Sequence, residues 1–371
     1  MKDIPLILEA WRSARAAGEE AVLATVVRIE GSAYRRPGTR MLITSDGSNV
    51  GMISGGCLEG HVTKRAWWLT RSGQPVVCRY DTGAGEDTEW AFGLGCNGVV
   101  DVLFERLAPS RAAPQIEMLD AVHESFRPGA SAVVIASHLA PGAGVGQRLL
   151  IFPNGREWAD VADDDLASSL ARDLVEVLHL GRSSLVTHDV GAGRVDVFLE
   201  YVPPPLRLVV FGAGPDAVPL VRIAKEVGWH VTVVDGRSHY ARRERFPLAD
   251  ALIVAEPTEA PGAAGVTPRS AVVVMTHSYE QDKNLLRALL RSPPAYVGQL
   301  GPRSRTERIL GELAEEAGEP LEAAALHYPI GLDIGGDNPE EIAVAILAEI
   351  KSVLAGRTGG MLRRREGSIH G

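Results

Sequence analysis

A chain of 371 residues exceeds one ordinary compact domain, so two or three domains are expected. Hydrophobic residues at 45% and charged residues at 23% suit a soluble globular protein and exclude a disordered or fibrous one. The net charge of −9 argues against a nucleic-acid or anionic-membrane partner, because neutralising phosphates needs a basic surface.

The start, Met1-Lys2-Asp3-Ile4-Pro5, has no basic region ahead of an apolar core, so no signal peptide is expected. No apolar run reaches the length that spans a bilayer. Helical spacing of Ile4, Ile7, Leu8, Trp11 and Ala14 predicts a helix over 3–17. The β-branched run from Ala21 to Ile29 predicts a strand. A hairpin follows: Arg40–Thr44, a turn at Asp46-Gly47, then Asn49–Ile53. A helix is expected from about Leu58 to Thr70, and strands over Pro75–Tyr80 and Gly98–Phe104. Residues 108–129, with Pro109, Pro114 and Pro128, read as a connector holding a short helix. Further strands are expected at Ala132–Ser137, Arg148–Phe152 and Val195–Tyr201, with one helix near Asp164–Leu180.

Pro203-Pro204-Pro205 is the clearest boundary, since consecutive prolines favour a stiff extended linker. The domains expected are therefore 1–202, mixed α+β, and 206–355, with a flexible tail over 356–371. The second opens on an apolar strand, Leu206–Phe211, that runs directly into Gly212-Ala213-Gly214-Pro215-Asp216-Ala217. This G-x-G-x-x-A turn lets the backbone bend tightly and approach a pyrophosphate. The helix after it, roughly Pro215–Val227, offers free amides to an anion. The next strand, His230–Val234, ends at Asp235, where a carboxylate accepts from a ribose 2′-OH. Strands at Ala251–Ala255, Ala271–Met275 and Tyr296–Val297 alternate with helices at Tyr279–Arg291 and Arg303–Ala317. The last helix starts on Asn338, Pro339 and Glu341, a capping box with proline at its first position. The fold class is thus α/β: a C-terminal Rossmann-type parallel sheet behind an N-terminal mixed α+β domain. Thr276-His277 follows one strand end, with Asp282 just beyond. Two readings stand side by side for His277, a ligand contact or a polar strand end that caps the next helix. Up to this point the chain reads as a nicotinamide-dependent oxidoreductase using Asp235 and His277.

Three N-terminal segments do not fit that reading. Arg35-Arg36-Pro37-Gly38 sets two guanidinium groups on a glycine-bounded loop, suited to bidentate phosphate recognition or simply solvated. In Ser54-Gly55-Gly56-Cys57-Leu58-Glu59, Cys57 falls near a helix N-terminus, where a thiol pKa drops and the thiolate becomes a nucleophile or metal ligand. Gly93-Leu94-Gly95-Cys96-Asn97-Gly98 holds a second glycine-flanked cysteine. Two such cysteines suggest a shared soft-ligand site. Cys78, inside an apolar strand, reads as structural, and three cysteines form no disulfide framework, which fits a reducing cytoplasm. A zinc site from Cys57, His61 and Cys96 is a competing reading, without a paired C-x-x-C.

Together, G-S-x-x-R-R-P-G, S-G-G-C-L-E and G-L-G-C-N-G ahead of a Rossmann domain resemble the xanthine dehydrogenase accessory (XdhC/CoxI) family. Thr276-His277, the segment Tyr296–Gly301, P-I-G-L-D-I-G and N-P-E-E-I-A extend the resemblance across both domains. It is weakest in 108–200. The resemblance implies a maturation factor rather than an enzyme, one that binds molybdenum cofactor (molybdopterin). Such a factor supports sulfuration of the cofactor and its insertion into a molybdenum hydroxylase such as xanthine dehydrogenase. It also implies a homodimer that meets a cysteine desulfurase. On this reading Cys57 and Cys96 contact the molybdenum or its sulfur, beside Gly55, Gly56 and Glu59. Arg35 and Arg36 anchor anionic groups. The Rossmann residues Gly212, Gly214, Asp235, Thr276 and His277 hold a phosphate or a nucleotide, NAD(P) among the options.

Overall fold

Leu208 and Val210 pack into one hydrophobic cluster while Val209 and Phe211 pack into another, which is what a central parallel strand covered on both faces does. The computed structural model describes residues 3–31, 35–56, 58–81, 98–140, 142–318 and 323–364. By internal contacts the chain divides into two units that meet in sequence at Pro204 and Pro205.

The N-terminal unit runs α1 (Asp3–Ala16), β1 (Ala21–Gly31), β2 (Arg40–Thr44), β3 (Asn49–Gly51), α2 (Glu59–Leu69), β4 (Val76–Asp81) and β5 (Gly98–Leu107). It continues with α3 (Pro114–Ser125), β6 (Gly129–His138), β7 (Arg148–Ile151), β8 (Glu157–Ala159), α4 (Asp164–Leu180), β9 (Ser184–Val190) and β10 (Gly193–Val202). Among the described residues its strands form two antiparallel sheets, in the orders β3-β2-β1-β5-β4 and β8-β7-β6-β10-β9. The first seven residues of β1 are all buried because its two faces serve different cores. Ala21 and Leu23 join α1 and α3, whereas Val22, Ala24 and Val26 meet Val62 and Ala66 of α2. Each fully buried branched side chain of this kind contributes about 1.5–3 kcal/mol.

Val27 and Leu103 of the first sheet share a third cluster with Val133, Ile135 and Phe198 of the second. Ion pairs flank it: Arg28 with Asp196 at 2.6 Å, Arg40 with Glu200 at 2.5 Å, and Arg148 with Glu105. Four of these six groups, Arg40, Glu200, Arg148 and Glu105, are buried. Burial pushes the Glu105 carboxyl up even against Arg148 and Arg40. Removing one member of such a pair leaves a bare buried charge, so the sheets are held in one register.

The helix α4 matches its sequence expectation, capped by Asp163, which accepts from the Leu166 amide, and closed by Gly181 in the left-handed region. The connector over 108–129 holds α3, a helix of twelve residues starting on Pro114. Two strands carry no clear sequence signal. β9 is an edge strand whose side chains are mostly exposed, so it lacks the apolar alternation that marks a strand; β8 has three residues.

The C-terminal unit runs β11 (Arg207–Phe211), α5 (Ala217–Glu226), β12 (His230–Val234), β13 (Ala251–Ile253), α6 (Ala260–Ala263), β14 (Ala271–Val274), α7 (Tyr279–Arg291), β15 (Tyr296–Gln299), α8 (Arg303–Ala317), β16 (Leu326–His327) and α9 (Pro339–Leu354). The strands pair in parallel in the order β13-β12-β11-β14-β15-β16. α5 and α9 cover one face through Leu220, Val221, Ile346 and Ile350. α7 and α8 cover the other through Leu285, Leu289, Ile309 and Leu313. α9 carries the expected capping box, with Asn338 accepting from the Glu341 amide. The strand order reverses between β11 and β14, and in open sheets of this type ligands sit in the crevice at that reversal. Among the described residues no helix is long and apolar enough to cross a membrane.

Candidate functional site

The structure joins two of the sequence-predicted N-terminal segments. Arg35 donates from Nε to the Ser54 carbonyl at 3.3 Å, so the arginine loop and the Ser54–Glu59 loop meet. The arginine loop is set by local bonds: the Gly38 amide donates to the Val26 carbonyl, and the Thr39 amide and hydroxyl both donate to the Arg36 carbonyl. Gly38 has φ +91°, and a Cβ there would lie 2.6 Å from Glu200 Oε1. Only glycine admits both the turn and that approach. The loop is thereby tied to the buried pair, since Arg40 donates from Nη1 both to the Gly38 carbonyl and to Glu200. Arg35 is half-buried and Arg36 exposed.

The second loop is organised by Glu59, which is buried. Its Oε1 accepts from the Ile53 amide at 3.2 Å and the Ser54 amide at 2.7 Å, and its Oε2 from the Ser54 hydroxyl at 2.6 Å. The Ser54 oxygen in turn accepts from the Gly56 and Leu58 amides. Burial pushes the Glu59 carboxyl up, but the Ser54 and Ile53 donors outweigh it and hold it below the usual carboxylate range. Glu59 thus shapes the loop; its oxygens are spent on the backbone around it. Gly55 and Gly56 are exposed. Gly56 has φ +109° with open space where a Cβ would stand, so glycine is required there by conformation.

α2 begins at Glu59, with Leu58 as its N-cap, one residue after Cys57. Cys57 and Cys96 lie outside the described residues. Among the described residues no group of three or more His, Cys, Asp or Glu side chains could hold a metal ion. His61 packs edge-on against Tyr80 with ring centroids 6.0 Å apart. Burial, then Arg65 and Lys64, lower its pKa. Cys78 is half-buried in β4, and burial pushes its thiol up, which opposes thiolate chemistry.

The second set of residues gathers at the reversal of the parallel sheet. Gly212 has φ +111°, and a Cβ on it would come within 2.4 Å of the Met275 carbonyl oxygen and 2.9 Å of the Thr276 Cα. The glycine turn and the Thr276-His277 loop therefore touch. His277 adopts a left-handed φ of +62°, an uncommon conformation outside glycine. Its ring stands over the turn, 3.5 Å from where a Gly214 Cβ would be, and 3.4 Å from the Asp216 carboxylate. α5 starts at Ala217, two residues later than its sequence pattern suggests. The intervening Pro215 offers no amide to an anion.

Asp235 is buried, and four donors reach its carboxylate. Oδ1 accepts from the Arg237 amide and Nε, both at 2.9 Å. Oδ2 accepts from the Ala213 amide at 2.8 Å and Arg237 Nη2 at 2.9 Å. Burial raises its pKa, but Arg237 and the two amides outweigh that and hold it below the usual range. Thr276 belongs to a network that the sequence did not announce. Its hydroxyl donates to Asp282 Oδ1 at 2.5 Å, while Gln299 Nε2 and Arg305 Nη2 donate to Oδ2 at 3.0 and 2.5 Å. Asp282 is buried and its pKa is raised by burial despite these partners. Thr276, Asp282, Gln299 and Arg305 thus tie the ends of β14 and β15 to the starts of α7 and α8.

These features define a two-unit α/β protein with a Rossmann-type C-terminal half. The chain belongs to the XdhC and CoxI family. Residues 208–350 match the XdhC Rossmann domain and residues 14–81 the XdhC and CoxI family model. The chain is 34% identical over 334 residues to a probable xanthine dehydrogenase component of Bacillus subtilis (strain 168), spanning 90% of this chain and 92% of that one. It is 25% identical to the molybdenum cofactor insertion chaperone PaoD of Escherichia coli (strain K12), over 91% of this chain and 84% of that one. A crystal structure described as a xanthine dehydrogenase from Bacillus halodurans superposes with a TM-score of 0.76 at 29% identity, covering 96% and 97% of the two chains.

Proposed function

We propose that this protein is an accessory factor that binds molybdenum cofactor and supports its sulfuration and insertion into a molybdenum hydroxylase of the xanthine dehydrogenase type. The observation that carries the reading is the Arg35–Ser54 contact, which sets a guanidinium beside an exposed, glycine-paired loop. Kinship with a relative named as a molybdenum cofactor insertion chaperone supports the choice of cargo.

The residues present suit such a cargo. A pterin phosphate is an anion that Arg35 and Arg36 can pair with. The open space at Gly56 admits a ligand close to the backbone. Cys57 and Cys96 are soft donors of the kind that suit molybdenum or its sulfur. Glu59 and Ser54 hold the loop, and Gly38 fixes the neighbouring one, so the protein's part is to bind and orient. The family reading also carries a cytoplasmic homodimer, a client hydroxylase and a cysteine desulfurase partner. The alternative of an NAD-dependent oxidoreductase needs Asp235 as a ribose acceptor, and that carboxylate already has four donors.

Gel filtration of the purified protein after incubation with molybdenum cofactor tests the proposal. Pterin fluorescence should travel with the protein peak; a protein peak free of pterin would sink it.

A further inference from the structure

A carboxylate at the end of the second Rossmann strand ordinarily takes the two hydroxyls of an adenosine ribose. Asp235 cannot do so as it stands. A carboxylate offers about four lone-pair sites, and here the Ala213 amide, the Arg237 amide, Arg237 Nε and Arg237 Nη2 occupy them. The Asp235 side chain is only 3% exposed, whereas that of Arg237 is 42% exposed. What the crevice meets at this position is therefore the back of a guanidinium.

Three of the five guanidinium N–H groups remain, both on Nη1 and the second on Nη2. They form an outward fork of the geometry that suits two phosphate oxygens. The fork is rigid for two reasons. Asp235 grips its inner edge, and its plane lies over the Tyr240 ring at 4.0 Å, with Arg245 4.7 Å from the same ring. A carboxylate is also close, since Glu256 Oε1 lies 3.7 Å from where a Cβ on Gly236, the residue before Arg237, would stand. The region is thus not a general basic patch, and recognition falls to the fork itself.

We infer that Arg237, held by Asp235 and Tyr240, is a seat for a phosphomonoester dianion on the ligand of the Rossmann unit, and that this unit selects against a free ribose diol. The inference rests on the Rossmann crevice and uses no residue of the N-terminal loops. A phosphomonoester is offered both by a 2′-phosphorylated nucleotide and by a pterin cofactor with a terminal phosphate.

The full-length protein is titrated with 2′,5′-ADP and with 5′-AMP, which differ only at the 2′-phosphate. The 2′-phosphate should tighten binding by about tenfold or more, the scale of a charge-assisted bidentate contact. Arg237→Gln should remove that advantage. Arg237→Lys, which keeps the charge but not the fork, should remove most of it. Equal affinity for the two nucleotides, no binding of either at millimolar concentration, or an advantage that survives Arg237→Gln in a folded variant overturns the inference. The comparison on the unaltered protein stands even if the variants fail to fold. Adding molybdenum cofactor to the 2′,5′-ADP complex then separates the sources: displacement assigns the seat to the pterin phosphate, and coexistence assigns it to a nucleotide. Pterin retention measured separately tells failure here from failure of the chaperone reading.

Discussion

The Arg35 guanidinium and the Ser54 carbonyl lie 3.3 Å apart, and through them two loops nineteen residues apart in sequence become one surface. Each loop is anchored from behind by a buried acid, Glu200 under Gly38 and Glu59 under Ser54. Rigid support beneath exposed contact groups is what a binding loop needs to hold a ligand without reorganising.

Arg35→Gln should therefore lower cofactor retention by about tenfold, as expected for loss of one charged hydrogen bond. The melting temperature should stay nearly unchanged, because Arg35 is only half-buried. Equilibrium binding followed by pterin fluorescence measures the first and a thermal melt the second. A retained affinity would remove Arg35 from the site.

Gly38→Ala meets two obstacles, the φ of +91° and the Glu200 oxygen 2.6 Å from the new Cβ. We expect it to destabilise the protein by about 2 kcal/mol, read as a drop in the denaturant midpoint. An unaltered midpoint would mean that Glu200 is free to move aside and that the loop is not tied to the inter-sheet ion pair.

Asp282→Ala should cost about 3 kcal/mol, because it strands Arg305 and removes the carboxylate shared by the Gln299 amide and the Thr276 hydroxyl, which keep only the Leu300 and Ser278 carbonyls. Loss of that network should also loosen the Thr276-His277 loop. Hydrogen exchange at the Ser278 amide, which donates to the Thr276 hydroxyl, should accelerate in the variant. Unchanged exchange would show that the loop holds without Asp282.

The pKa of Glu59 is lowered in the folded state. Its stabilising contribution is accordingly present above its unfolded pKa and is lost as pH falls through the depressed folded value. Acidification below the usual carboxylate range should increase exchange at the Ile53 and Ser54 amides before the protein unfolds globally. Glu59→Gln should show fast exchange at both amides already at neutral pH. Protection that is independent of pH would refute the carboxylate's role as the loop's anchor.

Much of the parallel unit was legible in the sequence, because its helices carry their own signals. α7, α8 and α9 have amphipathic spacing, and α9 also has the Asn338 and Glu341 cap. The glycine turn announces itself through the apolar strand ahead of it. What the sequence concealed is pairing over distance. Arg40 with Glu200, Arg28 with Asp196 and Arg148 with Glu105 join positions 43 to 168 residues apart, and no local pattern encodes them. Glu59 was legible as part of the cysteine segment but not as its clamp, because it reaches back five residues to Ser54 rather than the three of a capping box. Asp235 looked like a ribose acceptor because the strand position suggests one. That Arg237, two residues on, fills it is a matter of side-chain direction rather than of pattern.

The central claim is that the loops around Arg35 and Ser54 hold molybdenum cofactor through Cys57 and Cys96. Its most direct test is the amount of pterin retained per chain by the unaltered protein, by Cys57→Ser, by Cys96→Ser, and by Cys78→Ser as the control in β4. Retention is expected in the unaltered protein and in Cys78→Ser, with a marked loss in each of the other two. Equal retention in all four proteins would contradict it.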